Sequence, residues 1–268
     1  MLVSSKLNLT EIWIYPVKSM GGIRLASAKV MEKGLQHDRR WMLVDSENCF
    51  ITQRIHHQLA LFNLSLQPDG FLITHQTDST LLPFTTHLLP EPLQSKVWAD
   101  DVTVHEVSKE LSNWFSQRLD IACRLVQFPE SNTRLVDAQY RVTDSQVSLA
   151  DGYPILIIGQ SSLDDLNSRL QHHLPMNRFR PNLVFTGGQP YEEDNWRGFS
   201  IGKKRFVGVK PCARCVLTTI DQQTAMAGKE PLATLATYRK KENKIYFGQN
   251  VIALDYDEIF EGDEIIVE

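Results

Sequence analysis

Short apolar runs separated by turn residues recur along this sequence, and they constrain its fold more than any other feature. Runs of about 4–8 residues that are rich in β-branched and aromatic side chains, bounded by Gly, Pro, Asn, Asp or Ser, are typical of β-strands. They lie at residues 11–15, 40–45, 59–66, 71–75, 102–107, 124–128, 154–159, 182–187, 205–209, 215–220, 244–248 and 264–268. The pattern predicts a chain built mainly from strands.

Helical periodicity is confined to three segments. In residues 108–119 apolar side chains recur at helical spacing behind Ser108, which is a favourable N-cap. Residues 161–174 repeat the spacing, and residues 230–240 have the composition of a short helix. Many strands with isolated helices predict a mostly β (α+β) fold of barrels or sandwiches rather than an alternating parallel sheet.

Charge and cysteine content exclude several classes of protein. The 268 residues carry a formal net charge of −4, which argues against a general polyanion binder, so we expect no nucleic-acid polymer as a partner. The first residues lack the pattern of a signal peptide, and no window is apolar enough to span a membrane, so we expect neither. The 4 cysteines are too few and too unevenly spaced for a secreted disulfide scaffold. The predicted location is therefore cytoplasmic.

Basic residues stand repeatedly at junctions between strands and turns, beside Gly, Pro, Ser or Asn. In a chain of net negative charge, this arrangement is typical of a pocket for an anionic, phosphate-bearing ligand, because guanidinium groups and free backbone N–H groups can point inward together. The positions are Lys18, Arg39, Arg40, Arg178, Arg180 and Arg214.

The cysteines of "PCARC", Cys212 and Cys215, allow several interpretations. A zinc site needs four ligands, and the other two cysteines have no partner nearby, so zinc is disfavoured. A redox dithiol normally opens a helix, whereas Cys215 opens a β-branched run. Two alternatives stay open: a small buried side chain in a strand, or one thiolate acting as metal ligand or nucleophile, with its ionisation favoured by Arg214.

Six motifs together resemble one known family. They are "YPVKS", "GLQHDRRW", "NRFRPN", "PCARCVLTTID", "EPLATL" and "FGQN". In this order and at these spacings they resemble the MOSC-domain proteins with an N-terminal MOSC β-barrel domain, such as the bacterial YcbX proteins and the mitochondrial amidoxime-reducing component. The resemblance runs from about residue 7 to the end of the sequence.

The resemblance implies a fold and a division of the chain. Residues 1–125 are expected to form the N-terminal β-barrel domain, and residues 154–268 the MOSC β-barrel. The polar segment between them, residues 126–153, is expected to be a packed connection. The cofactor is expected to lie in the cleft between the two domains, because the matched residues come from both.

The resemblance also implies a cofactor and its contacts. The family binds molybdenum cofactor, a molybdopterin whose phosphate needs cationic partners, and the second cysteine of the motif, here Cys215, is expected to be the catalytic protein ligand to molybdenum. Cys212 matches a position that is not the ligand. The implied cofactor contacts are Lys18, Ser19, Arg39, Arg40, Asp151, Gly152, Tyr153, Arg180, Asn182, Ala213, Arg214 and Cys215.

The implied activity is reduction of N-hydroxylated small molecules, such as amidoximes, hydroxylamines and N-hydroxylated bases. Some relatives continue into a ferredoxin domain with a C-x₄-C-x₂-C motif, which this sequence does not contain. Electrons are therefore expected from a separate ferredoxin, flavodoxin or flavin reductase. The alternative is a sulfur-transfer or cofactor-carrier module in which the cysteine bears a persulfide.

Overall fold

A computed structural model describes residues 6–84 and 88–268. The strands are β1 (Leu7–Ile14), β2 (Ile23–Leu25), β3 (Ser27–Met31), β4 (Gly34–Leu35), β5 (Trp41–Val44), β6 (Asn63–Gln67), β7 (Gly70–His75), β8 (Asp78–Pro83), β9 (Pro92–Val97), β10 (Asp100–Glu106), β11 (Arg124–Gln127), β12 (Ile155–Gly159), β13 (Leu183–Thr186), β14 (Gly198–Ile201), β15 (Lys204–Ala213), β16 (Lys240–Lys241), β17 (Lys244–Ala253), β18 (Glu258–Phe260) and β19 (Glu264–Val267). The α-helices are α1 (Lys109–Leu119), α2 (Gln160–Asn167) and α3 (Leu232–Leu235). Short 3₁₀ helices lie at His57–Leu61, Met176–Arg178, Glu192–Asn195 and Val216–Thr219.

Seven strands close into a barrel in the order β12–β13–β1–β19–β14–β15–β17, and β17 pairs with β12 to complete the ring. Only the β12–β13 pair in this ring is parallel. Strand β1 comes from the first residues of the sequence, yet it lies between β13 and β19, with Leu7 opposite Ile265. The predicted mostly β fold is confirmed. The division of the chain at residues 125 and 153 stays a prediction.

The first half of the chain supplies two further antiparallel sheets. One has the order β5–β11–β10–β9, and the other is the meander β6–β7–β8. Helix α1 packs against β11 and begins as predicted, since the Ser108 side chain accepts a hydrogen bond from the Leu111 N–H at 3.1 Å. Within the described residues, no helix is long and apolar enough to cross a membrane.

Residues 129–153 pack around one arginine, and their role as a connection between two domains stays a prediction. The Arg134 side chain is buried, and Nη1 donates hydrogen bonds to the carbonyl oxygens of Ser148 at 2.7 Å and Ala150 at 2.6 Å. Its guanidinium group also binds Asp100. These contacts hold the backbone that leads into residues 150–153 in a fixed position.

The predicted strand at residues 215–220 is wrong, because this segment forms the 3₁₀ helix Val216–Thr219. Its threonine hydroxyls satisfy backbone carbonyls locally: Thr218 Oγ1 donates to Cys215 O at 2.9 Å, and Thr219 Oγ1 donates to Val216 O at 2.7 Å. Such local bonds offer the backbone an alternative to a sheet, so β propensity is overridden here.

Two predicted helices are shorter than expected. Helix α2 ends at Asn167, whose side-chain amide donates to Leu174 O at 3.0 Å and accepts from Leu174 N at 2.9 Å. This double contact holds the following segment in a loop. Helix α3 covers only Leu232–Leu235.

Candidate functional site

A cavity of about 340 Å³ opens where segments from both halves of the chain meet. Its walls come from the turn after β1, the turn before β5, the end of the connection, the segment before β13, the end of β15 and the neighbouring part of β17. Both cysteines of the "PCARC" motif line it.

The charge of the cavity wall is strongly positive. Seven of its lining residues are basic, and Asp151 is the one acidic residue among the described lining positions. A concave wall of one sign in a low-dielectric surrounding concentrates counter-ions, so the cavity is suited to an anionic ligand. The basic residues are Lys18, Arg39, Arg54, Arg180, Lys210, Arg214 and Lys244.

Asp151 links two of these cations. Its Oδ1 lies 2.6 Å from Lys18 Nζ, and its Oδ2 lies 2.7 Å from Arg54 Nη2. Burial raises the pKa of Asp151, but the attraction of Lys18 and Arg54 outweighs burial and holds the pKa below its ordinary value. Burial lowers the pKa of Lys18, and Asp151 partly offsets that effect. Asp151 therefore stays ionised at neutral pH and opposes the effect of burial on the pKa of Lys18.

Two further arginines lie over the ring of Tyr15. The Cζ atoms of Arg39 and Arg180 are each 4.2 Å from the ring centroid, and the phenol donates a hydrogen bond to Pro181 O at 3.1 Å. Arg39 Nη1 also bonds Asp38 at 2.7 Å. Burial raises the pKa of Tyr15 to about 12 and lowers that of Arg180 to about 10, so the ring is neutral and Arg180 is cationic at neutral pH.

The backbone at these positions is unusual. Ser19, Arg39 and Arg180 are not glycines, yet they have φ values of 73°, 50° and 54°. Non-glycine residues in this left-handed region cost free energy and cluster at functional sites. Here the conformation directs side chains from three separate turns into one cavity.

The cysteine motif lies at the end of β15, where the Arg214 N–H donates to Ile245 O of β17 at 2.7 Å. Cys215 has an extended backbone and directly precedes the 3₁₀ helix. Arg214 contacts the other cysteine: its Nη1 lies 3.0 Å from Cys212 Sγ, and its Nη2 donates to Phe179 O at 2.6 Å. These contacts place the Arg214 guanidinium group beside Cys212 Sγ and Phe179 O, and its effect on the ionisation of Cys215 stays a prediction.

All of the implied contact positions except Arg40 line the cavity. Arg40 is 2% exposed and lies elsewhere: its Nε contacts Glu130 Oε1 at 2.5 Å, and its Nη1 donates to Asp38 O at 2.6 Å. Arg40 does not line the cavity, because Glu130 and the Asp38 carbonyl hold its guanidinium group elsewhere, and its role as a cofactor contact stays a prediction. Arg178 is also turned away, with its Nε donating to Thr218 O at 3.0 Å.

Several lining residues were missed from the sequence. Arg54 and Lys210 occupy the kind of turn or proline-flanked position that singled out the other cations, so the same signal was available for both. Asn250 belongs to the "FGQN" motif, and its amide donates to Lys210 O at 3.0 Å. Thr52 carried no local signal, whereas Phe179 and Leu217 lie within the motifs "NRFRPN" and "PCARCVLTTID" but were not singled out there.

Clustered metal ligands are absent from the described part of the chain: no three His, Cys, Asp or Glu side chains converge there. Two buried guanidinium nitrogens of the cavity, Arg54 Nε and Arg214 Nε, also have no hydrogen-bond partner within the described residues. Buried donors of this kind require acceptors, and an anionic ligand supplies them.

Family profiles match both halves of the chain. The MOSC N-terminal beta barrel domain matches residues 6–122, and the MOSC domain matches residues 144–266.

Several named proteins are similar in sequence to this chain over most of its length. Mitochondrial amidoxime-reducing component 1 of Mus musculus is 35% identical over 87% of this chain and 71% of its own length. The human protein of the same name is 32% identical over 96% of this chain and 82% of its own length. Molybdenum cofactor sulfurase of Oryza sativa is 34% identical over 97% of this chain, which spans only 34% of that protein. The chain therefore belongs to the family of MOSC-domain proteins with an N-terminal MOSC β-barrel domain, and it is homologous to the mitochondrial amidoxime-reducing components.

Proposed function

We propose that this protein binds molybdenum cofactor in the cationic cavity and reduces N-hydroxylated small molecules with electrons from a separate protein. The observation that carries the proposal is the joint presence of seven basic residues and Cys215 in the wall of one cavity. The homology to amidoxime-reducing components supports the same reaction class.

The residues of the cavity fit such a cofactor in three respects. Its phosphate is anionic, and Lys18, Arg39 and Arg180 are held in fixed positions by contacts with other parts of the site. The unpartnered Nε donors of Arg54 and Arg214 offer hydrogen bonds to its acceptors. The dithiolene brings its own sulfur ligands, so one cysteine suffices on the protein side. In this assignment Cys215 is the ligand.

The proposed reaction cleaves an N–O bond. An amidoxime takes up two electrons and two protons and yields an amidine and one water molecule, while the donor protein loses two electrons. The cofactor, when bound, supplies the two-electron redox chemistry. The protein residues bind and orient: Cys215 fixes the metal beside the 3₁₀ helix, and the cations hold the anionic groups in place. Ser19, Asn182, Ala213 and the 151–153 segment complete the wall.

The test is metal and pterin analysis of protein produced in a host that makes the cofactor. We expect near-stoichiometric molybdenum in the wild type, loss of the metal in Cys215→Ser, and retention in Cys212→Ser. Benzamidoxime reduction driven by reduced methyl viologen should follow the metal content. Equal loss of metal in both variants would contradict the ligand assignment, and bound metal without turnover would contradict the reductase activity.

A sulfur-transfer function is the second candidate. The observation in its favour is the 34% identity to a protein named molybdenum cofactor sulfurase, together with a free Cys215 that is partly exposed in the cavity. In that case Cys215 carries a persulfide. Intact-protein mass spectrometry distinguishes the two, because a persulfide adds the mass of one sulfur atom to the wild type and not to Cys215→Ser. A cytoplasmic location is part of the proposal and stays a prediction.

A further inference from the structure

A lysine-rich hairpin stands beside the mouth of the cavity. Strand β16 pairs with the start of β17, so that Lys241 lies directly opposite Lys244 and Lys240 opposite Ile245. All three lysines are exposed. Glu242 and Asn243 form the turn between the strands, and Glu242 has a φ of 55°.

The three lysines of this hairpin carry more charge than Glu242 in its turn can offset. In the part of the chain that the structure describes, Lys240, Lys241 and Lys244 form no ion pair. Like charges directly opposite each other on paired strands destabilise a sheet. The pair of Lys241 and Lys244 is therefore unfavourable for folding alone, and a nearby anion would relieve the repulsion.

The hairpin is joined directly to the functional site. Lys244 lines the cavity, and the next residue, Ile245, accepts the backbone hydrogen bond from Arg214 at 2.7 Å.

We propose that the hairpin Lys240–Lys244 is the docking surface for an acidic electron-transfer protein whose redox group lies at its own surface. The inference rests on the proposed reductase function. It adds where on this chain the partner binds and which charge the partner's surface carries. Donor docking at this place brings its redox group to the wall that holds Cys215. Each N–O bond cleaved takes two electrons, which two molecules of a one-electron donor such as a [2Fe–2S] protein supply by docking in succession, and the two protons come from solvent.

The position of the charge favours a protein over a small anionic substrate. A small substrate enters the cavity and meets the buried cations, whereas Lys240 and Lys241 do not line the cavity and point to solvent. A nucleic-acid partner is disfavoured by the net charge of −4. Electrostatic complementarity acts on the rate of encounter. Replacing the hairpin lysines should therefore change the rate that depends on the protein donor.

The experiment compares two reductants on the cofactor-loaded protein. The double variant Lys240→Glu/Lys241→Glu is assayed for benzamidoxime reduction with reduced [2Fe–2S] ferredoxin, an acidic protein probe, and with reduced methyl viologen. We expect kcat/KM for ferredoxin to fall about tenfold or more, since steering by charge contributes factors of roughly 10–10³. The viologen-driven rate should stay within about twofold of wild type. The wild-type ferredoxin rate should also fall as ionic strength rises, because salt screens exposed charges.

The matched control is Lys29→Glu/Lys203→Glu, which makes the same change in net charge. Both lysines are exposed and lie outside the cavity wall. Lys203 directly precedes β15, whose other end carries Ala213, so the control position lies roughly 30 Å along the strand from the site. This variant should keep the ferredoxin rate of the wild type.

Three outcomes overturn the docking proposal. An unchanged ferredoxin rate in the hairpin variant shows that the surface is not used, and an equal loss in the control shows an effect of net charge alone. Loss of the viologen rate shows that the hairpin acts through the cavity.

A wild type without viologen turnover refutes the reductase function instead. Docking is then judged by the Kd for ferredoxin, which should rise about tenfold in the hairpin variant; tighter wild-type binding of a short DNA duplex would identify a polyanion site.

Discussion

Lys18 and Asp151 form an ion pair across 133 positions of the sequence, with Nζ 2.6 Å from Oδ1. The lysine comes from the turn after β1 and is nearly buried, with 8% of its side chain exposed, whereas 55% of the Asp151 side chain is exposed. The pair therefore joins the two halves of the chain at the cavity and holds a positive charge where solvent alone would not stabilise it.

Replacing Asp151 by Asn should destabilise the fold at neutral pH. Lys18 and Arg54 lose their carboxylate partner, and we expect a loss of about 1–2 kcal/mol, below the ~3–5 kcal/mol of a fully buried pair because solvent screens Asp151. The folded-state pKa of Asp151 is depressed, so its contribution is complete above the unfolded pKa of about 3.9 and is lost as the pH falls further. Urea unfolding at pH 7 and pH 3 measures the difference, which should shrink at pH 3. Asp69→Asn, on an exposed turn, is the control and should have little effect at either pH.

Two variants of Tyr15 should distinguish the contribution of its aromatic ring from that of its hydroxyl group. Tyr15→Phe keeps the surface on which Arg39 and Arg180 lie and loses only the bond to Pro181 O, so we expect a cost of about 1 kcal/mol. Tyr15→Leu also removes two cation–π contacts of about 0.5–2 kcal/mol each, and it should lower bound molybdenum as well as stability. Thermal unfolding and metal analysis are the measurements. Equal metal content in the two variants would show that the ring does not position the arginines.

Gly22→Ala should disturb Arg39 and Arg180 indirectly, by displacing the ring of Tyr15 on which they lie. An added Cβ at Gly22 would lie 2.5 Å from Tyr15 Cε1, too close for any real contact, so the ring must shift. Overpacking of this kind typically costs about 1–3 kcal/mol. We expect a lower unfolding midpoint and reduced molybdenum content. Gly228→Ala, where the nearest atom is Thr219 O at 3.8 Å, is the control and should leave both unchanged.

Glu193 should make stability depend on pH between about 4.5 and 7. Burial raises its pKa to about 7, although Gly159 N and Ser162 Oγ donate hydrogen bonds to it. A folded-state pKa above the unfolded value means that the stabilisation is complete below the unfolded pKa and is lost as the pH rises to the folded pKa. We expect the wild type to lose roughly 3 kcal/mol across this window. In urea titrations the free energy of unfolding of Glu193→Gln should not change across this pH window. Glu47→Gln, on the surface, should lose stability across it as the wild type does.

The general form of the fold follows from sequence patterns, but the closure of the barrel does not. Periodicity identifies most strands, and Ser108 marks the start of α1. Nothing local predicts that β1 lies between β13 and β19, because strand pairing depends on packing across the whole barrel. The threonine hydroxyls of Thr218 and Thr219 decide the structure after Cys215 against its β propensity.

The cavity could be predicted in part. Lys18, Arg39 and Arg180 were indicated both by their turn positions and by the resemblance, and all three line the cavity. Arg40 and Arg178 share the same local signals, yet their guanidinium groups bind Glu130 and Asp221 elsewhere. Which way a basic side chain turns depends on backbone dihedrals and distant acceptors, and sequence spacing contains neither.

The position of β1 in the barrel sets the timing of folding during synthesis. Leu9 and Ile12 are fully buried there, but their neighbour β19 is translated about 250 residues later. At bacterial or eukaryotic elongation rates this delay is on the order of tens of seconds. Throughout that interval β1 has no completed barrel to enter, so the closed ring that buries these two aliphatic side chains forms only after β19 has been translated.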